Sequence, residues 1–558
     1  MASQRDPVTT EVIGHHLVAI AEEMKRAIIR TAMHPIIYEV FDFSTGLFDA
    51  RGTLAAQAAG LSIFLGTLDW AVAAAIEKFG LAGLDDGDVI LTNDPYVGGG
   101  THLSDVSVVA PVFHERRLIG FVASRAHWND IGGAVPLSVQ TNARDIYAEG
   151  LTLPIVRLFR RGTPNRDVFD LIEANVRESA TQLGDLQAQL AAARVGTTRL
   201  VALAGKYGRA TLAGAIRQLQ SAAEARTRRS LRQIPDGTYF GEDFLDDDGV
   251  GGPPARIAVR VEKQADRLHL DFSDSAPANP SGYNMTRCSL VSACRVVMKA
   301  ITEPHGPAND GSFRPLTVAA RPGSVVDATH PTPVSLYGEP ARRAIDAVWR
   351  ALAPVVPERL PAGHFGTIAG LAISGWDDRR QPPRRVSFQG PNGGGWGASH
   401  GRDGESALCP VTNGDTRNTP VEVIEAKAPL RVRTYALRAD SGGAGEWRGG
   451  LGTIYEFEVL TGGPFFLTCA LGRTRFPPFG VEGGRPGATN VVEIERDGRV
   501  VATLARATAV SLSKGDIVRV MTGGGGGYGD PRRRSAAAIA RDLELGYVTA
   551  GSGSAEGT

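Results

Sequence analysis

Two histidines and one aspartate are spaced in a way that suits a metal site. His102 and Asp105 are three residues apart, and His127 follows 22 residues after Asp105. Imidazole nitrogens and a carboxylate oxygen are ligands that zinc, manganese and iron accept in proteins. The same side chains could instead satisfy hydrogen bonds in a core, because a His-x-x-Asp pair also arises by chance. The residue types therefore predict a site for one Zn, Mn or Fe ion, with a purely structural role as the alternative.

A predicted β-hairpin brings these three residues together. Residues 106–113 and 118–124 are rich in apolar and β-branched side chains, and a polar tetrapeptide separates them. A turn centred on residues 115–116 would place Ser104 opposite His127. We therefore expect the three candidate ligands to gather at the open end of the hairpin.

Further acidic residues lie near the candidate ligands in the sequence. Any of Glu39, Asp42 and Asp49 could supply a fourth ligand. Asp94 and Asp130 flank the set, so each could be a hydrogen-bond partner of a ligand or a general base. Asp130 is three residues from His127 and is favoured as the base. The alternative for Asp130 is that it accepts the backbone N–H groups of the turn that follows it.

Helices are expected before and after the hairpin. An apolar stripe that begins after Thr10 predicts a helix that ends near residues 34–35. Its apolar positions recur at spacings of three and four: Ile13, Leu17, Ile20, Met24 and Ile28. The alanine-rich segment 54–79 is also predicted to be helical, and residues 167–232 are predicted to form two long helices broken near residues 205–208.

The composition of the chain changes after Pro235. Short alternating segments with Gly or Pro turns then reach to about residue 520, interrupted by two helical segments at 289–301 and 341–352. We predict an α+β protein, with a helix-rich N-terminal part that carries the metal-bearing hairpin and a Gly-rich, mainly β C-terminal part. The predicted divisions are a metal-site domain with long helices (1–235), a β-rich domain (236–530), and a short helix with a disordered tail (531–558).

The composition argues against several classes of protein. The 558 residues carry 60 Lys and Arg against 60 Asp and Glu, and this zero net charge argues against a general binder of nucleic acid or anionic membranes. No run of 18 apolar residues could span a bilayer, and the N-terminus lacks the pattern of a signal peptide. Four cysteines do not make a disulfide framework, so we expect a cytoplasmic protein with reduced thiols.

Two sequence blocks around the candidate ligands are recognisable. The segments Asn-Asp-Pro-Tyr-Val-Gly-Gly-Gly-Thr-His-Leu-Ser-Asp (93–105) and Ala-His-Trp-Asn-Asp-Ile-Gly-Gly (126–133) closely resemble the hydantoinase B/oxoprolinase family. Further blocks with the same resemblance extend over nearly the whole chain: 149–151, 184–190, 393–398, 438–445, 448–452 and 523–531. The family includes the B-type chain of ATP-dependent N-methylhydantoinases, a subunit of acetone and acetophenone carboxylases, and the C-terminal domain of 5-oxoprolinase.

The resemblance implies a metal site and a partner subunit. The family's His-x-x-Asp and Ala-His motifs fall on His102, Asp105 and His127, and a carboxylate of its early Asp-Phe-Ser block falls on Asp42, with Glu39 as the alternative. Zn or Mn is the implied metal, and Fe also fits these ligands. In this family a hydantoinase A-like ATP-binding subunit phosphorylates the substrate, in an α2β2-type assembly. The B-type chain then hydrolyses the C–N bond of the activated cyclic amide, such as a hydantoin or lactam.

The chain has no ATP-binding motif of its own. The glycine run at 523–527 lacks the Gly-Lys-Ser/Thr of a phosphate-binding loop, so a turn or a close approach of backbones is predicted there. Two other functions stay open, namely a subunit of an ATP-dependent ketone carboxylase and a non-catalytic docking subunit stabilised by its metal. Leu137 and the segment 334–339 depart from the family's glycine pattern, which leaves the substrate undetermined.

Overall fold

The computed structural model describes residues 6–248 and 250–550, so the tail predicted to be disordered at 551–558 lies outside the described residues. The mixed α and β architecture predicted from the sequence is confirmed, with long helices concentrated before residue 235. The helices of this part are α1 (Pro7–Thr31), α2 (Pro35–Tyr38), α3 (Ser62–Leu65), α4 (Leu68–Phe79), α5 (Ile146–Glu149), α6 (Arg166–Asn175), α7 (Ser179–Tyr207) and α8 (Arg209–Leu231).

The first helix begins earlier than the apolar stripe predicts. The Asp6 carboxylate accepts the N–H groups of Val8 and Thr9, each at 3.1 Å, and Pro7 occupies the first helical turn. This cap starts the helix three residues before Thr10, because it satisfies N–H groups that the first turn leaves without partners. The break predicted near residues 205–208 is confirmed, since α7 ends at Tyr207.

A seven-stranded sheet forms the middle layer of the N-terminal part. Its order is β2-β1-β5-β4-β3-β6-β7, with all neighbours antiparallel. The strands are β1 (Phe43–Asp49), β2 (Leu54–Gln57), β3 (Val89–Thr92), β4 (Asp105–His114), β5 (Arg117–His127), β6 (Val156–Arg160) and β7 (Thr163–Pro164). Val108 and Val122 pack in one core with α1 and α7, whereas Val109 and Phe121 pack with α4 on the other face. Helices on both faces explain why the hairpin strands are apolar throughout.

The predicted hairpin is confirmed, but its register is shifted by one residue. β4 and β5 are joined through Glu115 and Arg116, which both have positive φ. A bulge opposite Val112 and Phe113 adds one residue, Ile119, on the β5 side of the pairing. As a result Asp105, rather than Ser104, lies opposite His127. The bulge therefore places a carboxylate directly across from an imidazole.

The segment 54–79, predicted to be helical, is helical only from Ser62 onward, so the prediction is wrong for its first residues. Its first four residues form β2 and pair with β1, and α3 and α4 follow. The two helices are separated at Gly66, where an added Cβ would lie 2.1 Å from the Ser292 hydroxyl. Contact with the C-terminal part thus interrupts the alanine-rich stretch.

The C-terminal part consists of three sheets and four helices among the described residues. One sheet, in the order β11-β10-β9-β8, packs against α9 and α10. Two others, β13-β12-β16-β19 and β14-β15-β20-β17-β18, share one core and pack face to face. The strands are β8 (Gly237–Leu245), β9 (Ala255–Gln264), β10 (Arg267–Asp271), β11 (Leu316–Ala319), β12 (Leu371–Asp377), β13 (Arg384–Gly390), β14 (Leu430–Leu437), β15 (Thr453–Val459), β16 (Phe465–Ala470), β17 (Val491–Arg496), β18 (Arg499–Leu504), β19 (Arg506–Leu512) and β20 (Ile517–Met521). The helices are α9 (Arg287–Thr302), α10 (Gly338–Leu352), α11 (Val421–Lys427) and α12 (Ala536–Glu544).

The glycine runs of the C-terminal part are places where backbones cross in contact. A Cβ on Gly525 would lie 1.8 Å from the Trp396 carbonyl oxygen, and Gly525 also donates its N–H to Gly450. Side chains would not fit between these segments. The predicted close approach of backbones is confirmed, and nothing in this geometry leaves room for a nucleotide phosphate.

The change in composition at Pro235 coincides with a link between elements. α8 ends at Leu231 and β8 begins at Gly237, so the predicted boundary falls between them. The division into separate domains stays a prediction.

All four cysteines are free thiols. Within residues 6–248 and 250–550, no helix combines the length and apolarity needed to cross a bilayer.

We predict that Ile13→Ala destabilises the protein by about 2–5 kcal/mol, because it leaves a cavity between α1 and the sheet. Ile13 is fully buried, whereas its neighbour Val12 is 39% exposed. Val12→Ala is therefore the matched control and should change stability by less than about 0.5 kcal/mol. The measurement is the midpoint of urea-induced unfolding of each variant. Equal midpoints would show that the apolar face of α1 is not part of the core.

Candidate metal centre

Three predicted ligands meet at the open end of the hairpin. The Asp105 Oδ1 atom lies 3.0 Å from His102 Nε2 and 3.0 Å from His127 Nδ1. The two imidazole nitrogens are 3.2 Å apart, and all three side chains are buried. This is the one group of three or more His, Cys, Asp or Glu ligand atoms within 4.8 Å of one another in the described chain. The atoms converge on one point, as a metal site requires.

Strand pairing and a short turn explain this convergence. Asp105 opens β4 and His127 closes β5, and the two residues are partners in the hairpin register. His102 is brought back by a turn in which the Asp105 N–H donates to the His102 carbonyl at 3.1 Å. The Thr101 hydroxyl donates to Asp105 Oδ2, which leaves Oδ1 facing the imidazoles.

The orientation of His102 is fixed from the C-terminal part of the chain. Its Nδ1 lies 2.8 Å from the Ser335 carbonyl oxygen, and since a carbonyl only accepts, Nδ1 carries the proton. The Nε2 lone pair therefore faces the other ligands. The Glu149 carboxylate in turn accepts the N–H groups of Ser335 at 2.8 Å and Val334 at 3.1 Å. Glu149 thus clamps the segment that orients a candidate ligand.

The electrostatics of the centre favour a bound cation. Burial opposes ionisation of Asp105, but the charge and hydrogen bonds of His102 and His127 hold its pKa well below the usual range. Burial raises the pKa of Asp42 to about 6, against the opposing effect of His127. The Asp42 Oδ1 atom is buried and lacks a hydrogen-bond partner in the described part of the chain. Buried polar atoms without partners are rare unless a ligand or ion satisfies them, so the residues fit a divalent metal.

The three candidates for a fourth ligand lie in different places relative to the cavity. Asp42 lines the same cavity as His102 and His127, and its carbonyl accepts the His127 N–H at 3.0 Å. Asp49 lies at the other end of β1, where its carboxylate accepts N–H groups of Arg51 and Thr53. Glu39 does not line the cavity. Asp42 is therefore the better placed of the three, and its ligation of the metal stays a prediction.

Neither candidate base lines the metal cavity. Asp94 Oδ1 accepts the N–H groups of Tyr96 and Val97 and shapes its own loop. Asp130 accepts the Gly132 N–H at 2.9 Å and pairs with Arg177 at 2.8 Å. These contacts count in favour of the turn-shaping alternative for Asp130. The role of either aspartate as a general base stays a prediction.

The cavity beside the candidate ligands has polar walls that the sequence did not reveal. It is partly open to solvent and is lined by residues from both parts of the chain. The polar side chains that the sequence analysis missed are Ser335, Tyr337, Glu339, Arg342, Gln389, Thr412 and Asn413. The Tyr337 ring centre is 5.0 Å from that of His102, and the buried Arg342 pairs with Glu339 at 3.0 Å. Most of these residues lie more than 200 positions from the hairpin, so no local pattern connects them with it.

Comparison with known proteins decides the family. The model of the family described as hydantoinase B/oxoprolinase matches residues 6–531. The chain belongs to the hydantoinase B/oxoprolinase family. The predicted resemblance is therefore confirmed over nearly the whole length of the chain.

Individual family members and solved structures agree with this assignment. The chain is 32% identical to the beta subunit of the caprolactamase of Pseudomonas jessenii, covering 98% of this chain and 94% of that protein. It is 30% identical to the B-type subunit of a putative D-/L-hydantoinase of a Pseudomonas species, covering 98% and 93%. The crystal structure of the ATP-dependent caprolactamase from P. jessenii superposes with a TM-score of 0.91 at 30% identity, over 98% of this chain and 95% of that chain. An acetone carboxylase structure shares the fold, with a TM-score of 0.89 at 21% identity over 98% of this chain and 78% of that chain.

We predict that the purified family member carries about one metal ion per chain, as expected for a mononuclear site. His102→Ala combined with His127→Ala should abolish binding, because it removes both imidazole ligands. Exposed histidines supply a matched control, His15→Ala with His305→Ala, which should bind normally. The measurement is elemental analysis after gel filtration. Full occupancy in the first double variant would rule out this site.

We predict that Glu149→Ala weakens metal binding by about 10–100-fold, the usual effect of losing a residue that orients a ligand. Glu149→Gln should restore part of the affinity, because one amide oxygen can still accept an N–H from residues 334–335. The exposed Glu173→Ala is the control. Competition with a chelator measures the affinity, and equal values for all variants would show that Glu149 does not act on His102.

Proposed function

We propose that this chain is the metal-bearing hydrolytic subunit of an ATP-dependent enzyme that opens a cyclic amide activated by a partner chain. The observation that carries the proposal is the convergence of His102, Asp105 and His127 at a cavity, in a chain of this family. Two relatives are themselves named as one subunit of a caprolactamase and one of a hydantoinase. We propose that the substrate is a lactam or hydantoin and the products are those of C–N hydrolysis.

The cavity walls suit a small ring with one polar edge. Leu61, Ile63 and Phe64 line one side and supply apolar surface to the body of a ring. Arg342 and Gln389 also line the cavity and supply donors for an oxygen on the ring. A guanidinium is suited to a phosphoryl group, so we assign Arg342 to the activated carbonyl.

The proposed ligand set is His102, Asp105 and His127, with Asp42 as the fourth member. A Zn or Mn ion held there would lower the pKa of a water to about 7 and polarise the reacting bond. Asp105 is held ionised by the two imidazoles, so it can ligate at neutral pH. With four protein ligands, the hydrolytic role requires a fifth position for water, whereas a closed tetrahedral site would favour the non-catalytic docking role.

Activation is assigned to a separate hydantoinase A-like chain. The glycine run at 523–527 is packed against other backbones, and the sequence has no Gly-Lys-Ser/Thr phosphate loop. We propose an α2β2-type assembly with that chain, on the basis of the family resemblance. The alternative of an ATP-dependent ketone carboxylase is supported by the family resemblance and by the fold shared with acetone carboxylase.

We predict that this chain alone neither hydrolyses ATP nor opens lactams, and that it does both with its partner. The test is phosphate release against a panel of hydantoins, lactams, 5-oxoproline and ketones, with and without bicarbonate. ATP turnover stimulated by a cyclic amide, with formation of an amino acid, would support the proposal. Turnover that requires a ketone and bicarbonate would assign the carboxylase alternative, and substrate-stimulated turnover by the isolated chain would contradict the division of labour.

We predict that the Asp130→Asn variant distinguishes between two roles for Asp130, a general base and a residue that shapes the turn. If Asp130 accepts the proton, the variant keeps its metal and loses at least about a hundredfold in rate, the low end for acid–base catalysis. Asp94→Asn is the matched comparison on the other flank of the ligand set. Unchanged turnover together with a lower thermal midpoint would assign Asp130 to its contacts with Gly132 and Arg177.

A further inference from the structure

A fully buried arginine lies next to the candidate ligands in the hairpin. Arg125 precedes His127 by two residues on β5, and Ser107 follows Asp105 by two residues on β4. The hairpin register pairs Ser107 with Arg125, and Asp105 with His127. Side chains two residues apart on a strand point to the same face of a sheet, so these two pairs are neighbours on one face.

The Arg125 guanidinium donates hydrogen bonds to three uncharged oxygens. Its Nε donates to the Ser107 hydroxyl at 2.8 Å, its Nη2 to the Gly99 carbonyl at 2.9 Å, and its Nη1 to the Thr67 hydroxyl. The residue is 0% exposed. A buried guanidinium is usually paired with a carboxylate, because desolvating an unpaired charge is costly. Arg125 instead joins three separate segments of the N-terminal part: β4, the turn between α3 and α4, and the loop before β4.

The loop before β4 depends on contacts of this kind. It contains three successive glycines at 98–100, and glycine has the widest backbone freedom of all residues. Gly99 itself has a φ of 63°, in the left-handed region. Its carbonyl also accepts from the Cys288 thiol at 3.2 Å, but a thiol is a weak donor, so the bond from Arg125 is the stronger one. His102 follows Gly99 by three residues, so this bond helps to set the position of its imidazole.

We propose that Arg125 is a positioning residue of the metal centre, which holds the glycine loop so that His102 reaches the other two ligands. The inference rests on the proposed metal site but not on the proposed reaction.

Two effects of Arg125 on a bound cation have opposite signs. Its positive charge repels a metal ion, so loss of the charge alone should strengthen metal binding. Loss of the loop contact should weaken metal binding, because a misplaced imidazole is a poorer ligand. The direction of the change in affinity therefore distinguishes positioning from a direct effect of charge.

The first measurement is the Zn²⁺ affinity of the full chain, by competition with a chelator. Arg125→Met should weaken binding about 10–100-fold, the usual effect of losing a residue that orients a ligand. Arg125→Lys should recover part of this loss, because an ammonium can still donate to the Gly99 carbonyl but lacks the planar fork. Arg448→Met is the matched control, since Arg448 is also buried and donates to a glycine carbonyl, in the C-terminal part. In the His102→Ala background, Arg125→Met should no longer weaken binding, because it acts through that imidazole.

Hydrogen exchange of the metal-free chain measures the loop without a metal. Peptides that cover residues 93–104 should exchange at least about tenfold faster in Arg125→Met than in the natural chain, the factor expected for one hydrogen bond from a charged group. Peptides from β6, in the same sheet, should exchange at unchanged rates, which would show that the sheet stays folded. If Arg125→Met does not fold, Arg125→Lys carries the test, and its affinity should lie below that of the natural chain.

Unchanged or tighter Zn²⁺ binding in the folded Arg125 variants, or unchanged loop exchange, would overturn the proposal. An equal loss of affinity in the His102→Ala background would also overturn it, because Arg125 would then act without His102. Full occupancy in the double variant His102→Ala with His127→Ala would refute the metal centre together with this proposal. Loss of occupancy there, combined with unchanged binding in Arg125→Met, would refute this proposal alone.

Discussion

The Asp105 carboxylate is the contact on which the candidate site depends. One of its oxygens lies 3.0 Å from an imidazole nitrogen of each of two histidines, in a fully buried position. Three electron-pair donors cannot share a desolvated space at this distance without a positive species between them, either a proton or a metal ion. Asp42 adds a second carboxylate to the same cavity, and one of its oxygens has no described partner. A divalent cation can satisfy all of these atoms together. Protons would satisfy fewer of them.

The site exists only because the two parts of the chain pack against each other. The N-terminal hairpin supplies the three candidate ligands, whereas Ser335, Glu339, Arg342 and Asn413 of the C-terminal part supply the opposite walls of the cavity. The hydrogen bond from His102 to Ser335 crosses this interface, and Glu149 holds it from the N-terminal side. Metal binding and the packing of the two parts should therefore support each other, as is usual where ligands come together only in the folded state.

The sequence predicts those features that depend on short-range patterns. The apolar stripe of α1, the hairpin and its three ligands, and the change to a β-rich part after residue 235 all follow from local periodicity and turn residues. The exact pairing of Asp105 with His127 does not, because a one-residue bulge at Ile119 changes the register without a strong signal. The opposite wall could not be predicted either. Arg342 reaches the metal cavity through tertiary packing alone, and its sequence neighbours carry no mark of that role.

X-ray absorption spectroscopy at the metal edge of the purified protein tests the central claim most directly. The account predicts a first shell of nitrogen and oxygen that includes two imidazoles, with metal–nitrogen distances of about 2.0–2.1 Å if the metal is zinc. The imidazole scattering should fall by half in His127→Ala where metal is retained. A shell of sulfur ligands, or of oxygen ligands without imidazole, would contradict the assignment of His102, Asp105 and His127 as the metal centre.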